Sequence, residues 1–346
     1  MKKKVVKPKK IPVSELVKLE TKIDKLNAEK RNLSKKYKYS VSELKKKEME
    51  LEAFFELTGS NKVFTIRPRK NKVSEAIAVI VASDWHLDET IKPASLSGLN
   101  SFSPRIAQKR AENFFRNAVK LLKIAKKDVT VDTVVFALLG DFISSEIHDE
   151  LKEGNSMLPM EGILFAQELL RSGIEYLLKH TNCKFIVPCC VGNHTRITPK
   201  IHVSTEYGNS LEFLMYNSLK YSFKKEKRIN FVISEGYHCY VKVLGNTLRF
   251  HHGHACRFFG GIGGIYIPVN KAIAQWNKMK QADIDVFGHF HQFRDGGNFI
   301  CNGSLIGYSA YALRIKADYD KPKQAFFLID KKRGKTIVAP IVLEKV

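Results

Sequence analysis

Five short motifs place side chains with oxygen or nitrogen donor atoms where apolar runs of the sequence end. They are Asp84-Trp85-His86, Gly140-Asp141, Gly192-Asn193-His194, His252-Gly253-His254 and Gly288-His289-Phe290-His291. Seven of their residues are candidate metal ligands, namely Asp84, His86, Asp141, Asn193, His252, His289 and His291. Oxygen and nitrogen donors without thiolate suit Mn²⁺, Fe or Zn²⁺, and we expect two divalent ions, preferably Mn²⁺. Two such ions hold a phosphoryl group between them and generate a hydroxide that attacks phosphorus.

The spacing of the motifs explains how residues from distant parts of the chain can meet. In α/β sheets, loops that follow successive strands converge at the carboxyl edge. Asp84 and His86 are two residues apart, so on an extended segment both side chains face the same side. His289 and His291 repeat this spacing. One such pair is a weak signal, because a lone buried histidine is usually a core residue, but five motifs in order predict a metal centre.

In this order the motifs resemble those of the calcineurin-like metallophosphoesterase superfamily. Its pattern is Asp-x-His, Gly-Asp, Gly-Asn-His, a later His and Gly-His-x-His, and the resemblance covers about residues 76–310. It implies an α/β fold, a four-layer αββα sandwich of two sheets flanked by helices. It also implies that Asp141 bridges two metals. The remaining ligands would be Asp84, His86 and His291 on the first ion, and Asn193, His252 and His289 on the second.

The same resemblance implies that His194 is a catalytic residue rather than a ligand. It would lie near the phosphate and protonate the leaving oxygen or stabilise developing negative charge. The chain departs from the family where Thr195 and Arg196 follow the Gly-Asn-His motif, and where Ser144 stands three residues after the bridging aspartate. These departures change the surroundings of the ligands. We expect Arg196 to clamp a phosphate, against the alternative of an ordinary surface arginine, and His254 to contact substrate.

The charge of the chain favours a polyanionic partner. The formal net charge is +23, and residues 1–72 contribute 22 Lys and Arg against 9 Asp and Glu. We therefore expect DNA or RNA to be bound. Acidic membranes are the alternative, but no helix pairs a broad apolar face with a basic one, so we expect no membrane contact.

Residues 1–72 also differ from the rest in their pattern. We predict a basic flexible tail over residues 1–12 and a basic helical arm over residues 13–72, followed by a catalytic domain over residues 73–346. A heptad pattern in the arm places apolar side chains at Leu16, Leu19, Ile23, Leu26, Leu33, Tyr37, Leu44, Leu51 and Phe54. Ser40-Val41-Ser42-Glu43 resembles a capping box, so a coiled coil and a helical hairpin both remain open. The arm either packs on its own catalytic domain or serves a homo-oligomer or nucleic acid.

From residue 75 onward, apolar strands alternate with amphipathic helices, which is typical of an α/β domain. We predict helices over residues 104–126, 160–179 and 204–223, and strands over residues 76–82, 133–139, 185–191, 230–234, 237–243, 247–251 and 284–287, with a terminal hairpin over 326–342. The six cysteines lack the spacing of a zinc site or a disulfide framework. No signal peptide or apolar run of membrane length is present, so we expect a cytoplasmic protein.

These observations predict a two-metal phosphodiesterase, most simply a nuclease that hydrolyses DNA or RNA by attack of metal-bound hydroxide on phosphorus. It would be similar to the repair nucleases of the superfamily and to phosphoesterases encoded by bacteriophages. One alternative is a phosphatase for a small nucleotide or a phosphoprotein, which needs the same centre but no basic arm. Another is a nucleic-acid-binding or scaffolding protein with a structural metal site.

Overall fold

The computed structural model describes residues 12–57, 64–66, 74–147, 149–258 and 263–344. The chain divides into two compact units, residues 1–60 and residues 61–346. The predicted flexible tail lies outside the described residues, apart from Pro12. Strand β1, Phe64–Ile66, pairs with the strand Cys239–Val243 of the second unit. This strand lies within the segment predicted as a helical arm, and the predicted boundary after residue 72 stays a prediction.

The first unit contains helix α1, Val13–Leu57, which runs without interruption for 45 residues. The Ser40–Glu43 segment does not start a second helix, so the helical hairpin is wrong. Instead of capping a new helix, the Ser42 hydroxyl donates to the Tyr39 carbonyl one turn before it. The apolar seam of α1 is exposed in the isolated chain, with Leu33 74% and Leu44 62% accessible. A coiled-coil partner for this seam stays a prediction.

The larger sheet of the second unit has six strands in the order β12-β11-β2-β3-β4-β5. Its strands are β2, Ala76–Ala82; β3, Thr133–Leu138; β4, Lys184–Cys189; β5, Ile229–Ile233; β11, Lys323–Asp330; and β12, Gly334–Val342. Strands β2 to β5 run parallel, and β11 pairs antiparallel with β2. Both faces of β2 are buried, because Ala78 and Ile80 belong to one core while Ile77 and Val79 belong to another. A sheet covered on both faces explains its continuous apolar sequence.

Three long helices pack on one face of this sheet. They are α2, Pro104–Ala125; α4, Pro159–His180; and α5, Leu211–Ser222, with a short helix α3, Asp149–Gly154, before α4. Apolar side chains of all three, such as Phe114, Leu170 and Leu219, join one core with the strands. Helix α2 begins at Pro104 because the side chain of Ser103 accepts a hydrogen bond from the Ile106 N–H.

The predicted third helix over residues 204–223 is wrong at its start, since α5 begins only at Leu211. The Leu211 N–H donates to the Thr195 carbonyl, and the Ile197 N–H donates to the Asn209 carbonyl. These bonds pair residues 209–211 with the loop after His194. Their backbone groups are therefore used by that loop instead of by a longer helix.

The smaller sheet also has six strands, in the order β1-β6-β7-β8-β10-β9. The strands beyond β1 are β6, Cys239–Val243; β7, Asn246–Phe250; β8, Ile284–Phe287; β9, Arg294–Asp295; and β10, Phe299–Cys301. Helix α6, Tyr266–Trp276, places Val269 and Ile273 against Phe287 and Phe299, and α7 spans Ala310–Arg314. Leu248 and Val286 of this sheet share a core with the larger sheet. The predicted α/β class is confirmed, with two mixed sheets.

The six cysteines are unpaired and buried. Burial raises the pKa of the Cys239 thiol to about 12, so this side chain behaves as a small apolar residue. Among the described residues, no helix has the length and apolar composition that crossing a membrane requires.

Candidate metal centre

The loops that follow five strands bring the predicted ligands together. Asp84 and His86 follow β2, Asp141 follows β3 and Asn193 follows β4, all in the larger sheet. The remaining ligands come from the smaller sheet, with His252 after β7, and His289 and His291 after β8. The centre therefore lies where the carboxyl ends of strands from two sheets meet, rather than along the edge of one sheet.

A first group of donors consists of Asp84, His86 and His291, whose ligand atoms all lie within 4.8 Å of one another. His86 Nε2 is 3.1 Å from His291 Nε2, and His291 Nε2 is 3.5 Å from Asp84 Oδ1. Two ring nitrogens and a carboxylate oxygen thus face one point. Asp84 and His86 are buried, while His291 is half-buried. This group could hold one divalent cation.

A second group consists of Asp141, His252 and His289, again with ligand atoms within 4.8 Å of one another. His252 Nε2 lies 2.9 Å from Asp141 Oδ2, while His252 Nδ1 is 2.7 Å from the Leu139 carbonyl. Because a carbonyl only accepts, Nδ1 carries the proton in the neutral ring, and the lone pair of Nε2 faces the centre. This group could hold a second cation.

Asn193 lies on a loop that contacts the second group. Its Oδ1 atom is buried and has no hydrogen-bond partner among the described residues. The next residue, His194, donates its backbone N–H to Asp141 Oδ1 at 2.9 Å, which places the Asn193 loop against that carboxylate. A buried amide oxygen without a donor is costly unless a cation or water binds it. The orphaned oxygen therefore fits a metal ligand.

The backbone at the centre adopts an unusual conformation. Five of the seven predicted ligands have positive φ angles, which are 56° at Asp84, 48° at His86, 56° at Asp141, 69° at His289 and 56° at His291. Residues other than glycine seldom adopt this left-handed region, and clusters of such residues occur at functional sites. We expected ligands two residues apart to share one face of an extended segment. These segments are not extended, so that expectation is wrong. Tight left-handed turns bring these side chains together instead.

Glycines in the motifs leave room for the ligands. A Cβ atom at Gly192 would collide with the carboxylate and backbone nitrogen of Asp141. A Cβ atom at Gly288 would collide with Asp84 Oδ2 and Ser83 Oγ. The glycines of the Gly-Asn-His and Gly-His-x-His motifs are therefore required by close packing against ligands from other loops.

The carboxylates of the centre are strongly perturbed. Burial raises the pKa of Asp84 from 3.8 to about 7, although the neighbouring charge of His252 partly opposes this. Burial would also raise the pKa of Asp141, but the surrounding histidines, His252 foremost, together hold it well below its ordinary value. Two buried carboxylates that repel each other need positive charge nearby. A pair of cations would supply it.

The histidines of the centre are suited to ligation. Burial lowers the pKa of His86 and His289 well below the ordinary value, and it lowers the pKa of His291 to about 4. These rings are neutral at pH 7, which is the form that binds metals. His252 differs: burial opposes its charge, but Asp141 outweighs burial and raises its pKa to about 10. Its proton occupies the position that a cation would take.

His194 lies beside both groups without belonging to either. Its Nδ1 atom is 3.0 Å from the Ser144 carbonyl, and its Nε2 atom is 4.0 Å from Asp141 Oδ2. The ring meets that of His86 edge-on, at 5.0 Å between centroids. Its side chain is 20% exposed, so a substrate can reach it from solvent.

The two predicted substrate-binding residues have different surroundings. Arg196 donates from Nη1 to the carbonyl of Asn193, so its guanidinium holds its own loop. His254 Nε2 is 2.9 Å from Glu206 Oε1, and its ring lies 5.5 Å from that of His252. The structure therefore places His254 beside the second group, while Arg196 supports the backbone of a ligand.

Sequence reasoning missed Glu212, which joins two of the motif loops. Its carboxylate accepts hydrogen bonds from the Phe142 N–H at 2.9 Å and from the Gly192 N–H at 2.7 Å. Burial raises its pKa to about 7. A signal was present, because Glu212 takes a buried position of α5 one turn before the core residues Met215 and Tyr216. An acidic residue in an apolar stripe indicates a specific buried partner.

Comparison with known proteins leaves the family open. No family model and no curated protein matches the chain. Similar solved structures include the hypothetical protein PH1004 from Pyrococcus horikoshii OT3, with a TM-score of 0.35 and 14% identity over 78% of this chain and 89% of that one. Vps29 of Chaetomium thermophilum has a TM-score of 0.32 and 12% identity over 78% and 97% of the two chains. Since these TM-scores are below 0.5, the functional conclusion depends on the centre itself.

Proposed function

We propose that the protein is a two-metal phosphoesterase of the calcineurin-like kind, with a nucleic acid as its substrate. The observation that carries this proposal is the pair of adjoining donor groups, Asp84–His86–His291 and Asp141–His252–His289, with His194 beside both. The orphaned oxygen of Asn193, on the loop that hydrogen-bonds to Asp141, supports this residue as a further ligand of the second ion. Cores on the helical face of the larger sheet, between the sheets and beneath α6 support the four-layer arrangement.

Manganese is our preferred metal, because the donors are carboxylate, amide and imidazole without thiolate. When bound, two divalent cations would supply Lewis acidity and a nucleophilic water at neutral pH. The chain itself contributes a rigid frame. Hydrogen bonds from the backbone N–H groups of His289 and His194 fix the carboxylates of Asp84 and Asp141 before any ligand binds.

His194 is the residue that we assign to proton transfer. The Ser144 carbonyl accepts from Nδ1, so Nε2 is the atom that faces the centre. When the ring takes a second proton, Nε2–H can stabilise charge on the phosphoryl group and pass that proton to the departing oxygen. Because His194 belongs to neither donor group, its replacement should lower the rate of catalysis without weakening metal binding.

A polymeric substrate is supported by a basic segment in α1, residues 30–38. It contains Lys30, Arg31, Lys35, Lys36 and Lys38, and no Asp or Glu occurs between residues 30 and 42. All five cations are exposed, and none forms an ion pair with a described residue. Before and after this segment α1 contains both basic and acidic residues, so its excess charge is concentrated here. Such uncompensated charge favours a polyanion.

The geometry of the basic segment fits a phosphate backbone. Arg31, Lys35 and Lys38 are spaced i, i+4 and i+7, so they share one face over roughly 10 Å of helix. Tyr37 and Tyr39 are 71% and 68% exposed and offer rings on which unpaired bases can stack. This combination of basic and aromatic side chains supports a nucleic acid as substrate. A small phosphate ester would need only one basic side chain to bind its phosphate.

The proposal is tested with the full-length protein on labelled single-stranded DNA, duplex DNA, RNA and a chromogenic phosphodiester, each with Mn²⁺ or with EDTA. We expect metal-dependent cleavage of a nucleic acid, and none by Asp141→Ala. Turnover of the chromogenic ester alone would support a small-molecule phosphodiesterase instead. Cleavage of none of them with Mn²⁺, or equal cleavage in EDTA, would refute the assignment.

A further inference from the structure

Ser144 contacts both His86 and His194, through different atoms. Its hydroxyl oxygen lies 2.6 Å from His86 Nδ1, and its carbonyl oxygen lies 3.0 Å from His194 Nδ1. The hydroxyl also hydrogen-bonds to the carboxylate of Glu89. Ser144 itself is fully buried, whereas the Glu89 side chain is 20% exposed. One residue therefore links a candidate ligand, the candidate catalytic histidine and a carboxylate.

The direction of these hydrogen bonds follows from the groups involved. An ionised carboxylate only accepts, so the Ser144 hydroxyl donates to Glu89. The hydroxyl has one proton, and His86 Nδ1 must then donate to its oxygen. The lone pair of His86 lies on Nε2, the atom 3.1 Å from His291 Nε2 within the first donor group. The chain from Glu89 through Ser144 thus sets His86 in its metal-binding tautomer.

The position of Ser144 is fixed by a second carboxylate. Asp88 accepts from the Ser144 N–H at 2.6 Å and from the Ser145 N–H at 2.9 Å. The Asn155 side chain donates to the Ser145 carbonyl at 2.7 Å and stabilises the same turn. The turn therefore cannot shift without breaking several buried hydrogen bonds, so Ser144 is rigid enough to orient its two histidine partners.

We propose that Ser144 and Glu89 are positioning residues, with the hydroxyl of Ser144 orienting His86 toward the metal and its carbonyl orienting His194 toward the substrate. This inference deepens the proposed function and rests on it. Ligand histidines generally donate their second nitrogen to a carboxylate, a carbonyl or water, and loss of that partner weakens metal binding about 10–100-fold. Here the nearest contact of His86 Nδ1 is the Ser144 hydroxyl at 2.6 Å, while Glu89 Oε1 lies at 3.5 Å. Ser144 thus connects the candidate ligand to the candidate catalytic histidine.

The test is calorimetric titration of Mn²⁺ into the metal-free, full-length protein and three variants. Ser144→Ala removes the hydroxyl but keeps the carbonyl that binds His194, and Glu89→Gln keeps the shape of that side chain but removes its charge. Ser145→Ala is the matched control: it also removes one hydroxyl from a buried serine of the same turn, but only the backbone of Ser145 hydrogen-bonds to described residues. All three can be checked for folding by circular dichroism.

We expect two ions in the wild type and in Ser145→Ala. In Ser144→Ala, one ion should bind roughly 10–100-fold more weakly while the other is unchanged, and Glu89→Gln should weaken the same ion. Equal affinities in the wild type and in both the Ser144 and Glu89 variants would overturn the inference and leave the metal centre intact. If Ser144→Ala does not fold, Glu89→Gln alone decides. A wild type that binds no ion would overturn the proposed function and this inference together.

Discussion

Replacing Asp84 with asparagine should stabilise the metal-free protein at pH 8, although it removes a proposed ligand. Burial raises the pKa of Asp84 from 3.8 to about 7 when no cation is bound. The folded protein thus holds the proton more tightly than the unfolded chain does. Stability from this group is complete below about pH 4, and it is lost as pH rises to about 7. At about 1.4 kcal/mol for each pH unit, the charged form costs on the order of 4 kcal/mol above pH 7.

Asparagine avoids this cost and can keep the contacts of Asp84. Its amide oxygen can accept from the His289 N–H, which now lies 2.9 Å from Asp84 Oδ1, and its NH₂ group can face Ser83 Oγ. The assay is urea denaturation in EDTA at pH 4 and at pH 8. The difference in unfolding free energy between Asp84→Asn and wild type should move in favour of the variant, by up to ~4 kcal/mol, as pH rises. Glu212, whose pKa is also raised, is present in both proteins and cancels in the comparison.

Manganese should narrow this difference between the variant and the wild type. At a free concentration one hundred times its Kd, a bound ion adds about 2.7 kcal/mol to wild-type stability. Asp84→Asn should lose most of this gain because the carboxylate is missing. Asp128→Asn, at an exposed position, is the control. Its difference in unfolding free energy from the wild type should depend neither on pH nor on Mn²⁺. A variant that is destabilised by the same amount at both pH values would refute the reasoning about burial and charge.

Three further predictions concern catalysis, packing and nucleic acid. His194→Ala should lower kcat by roughly 10²–10⁴-fold while calorimetry still shows two ions, and a parallel loss of metal would contradict its assignment. Gly192→Ala places a Cβ against the Asp141 carboxylate and should lower both the Mn²⁺ affinity and the unfolding free energy, the latter by about 1–3 kcal/mol. Unchanged values in calorimetry and urea denaturation would argue against this close contact. Alanine at Arg31, Lys35 and Lys38 together should reduce the slope of log Kd against log salt for duplex DNA by about 2–3, measured by fluorescence anisotropy, whereas an unchanged slope would remove α1 from the binding surface.

Sequence patterns predicted most of the strands, but not the short strands β1, β9 and β10. Strand β3 and helix α2 end within one residue of their predicted limits. Their apolar periodicity is local information, since buried strands and amphipathic helices show it in any window of the chain. The motifs were also visible because each follows such a strand directly.

Two predictions failed, one because of distant hydrogen-bond partners and one because of a local hydrogen bond. The start of α5 was predicted too early because the backbone around Asn209 bonds to the loop at Ile197, which periodicity does not reveal. The capping-box pattern at Ser40–Glu43 did not stop α1, since Ser42 bonds backward within the helix. A short capping signal competes with the helix propensity of the residues around it, and here the helix continued through the signal.

The support around the candidate ligands was the least predictable part of the site. Glu89 and Ser144 are 55 residues apart, and Glu212 lies 20 residues from Gly192. None of these residues forms a motif with its partner. Their roles appear only when separate loops are folded against one another, so the ligand types could be inferred from spacing, but the hydrogen bonds that orient them could not.

The central claim is that this chain binds two cations at the meeting point of its sheets. Anomalous diffraction from crystals of the full-length protein grown with Mn²⁺ tests it most directly. We predict two manganese peaks, one among Asp84, His86 and His291 and one among Asp141, His252 and His289. Crystals of a folded protein with no peak at either group would contradict the account.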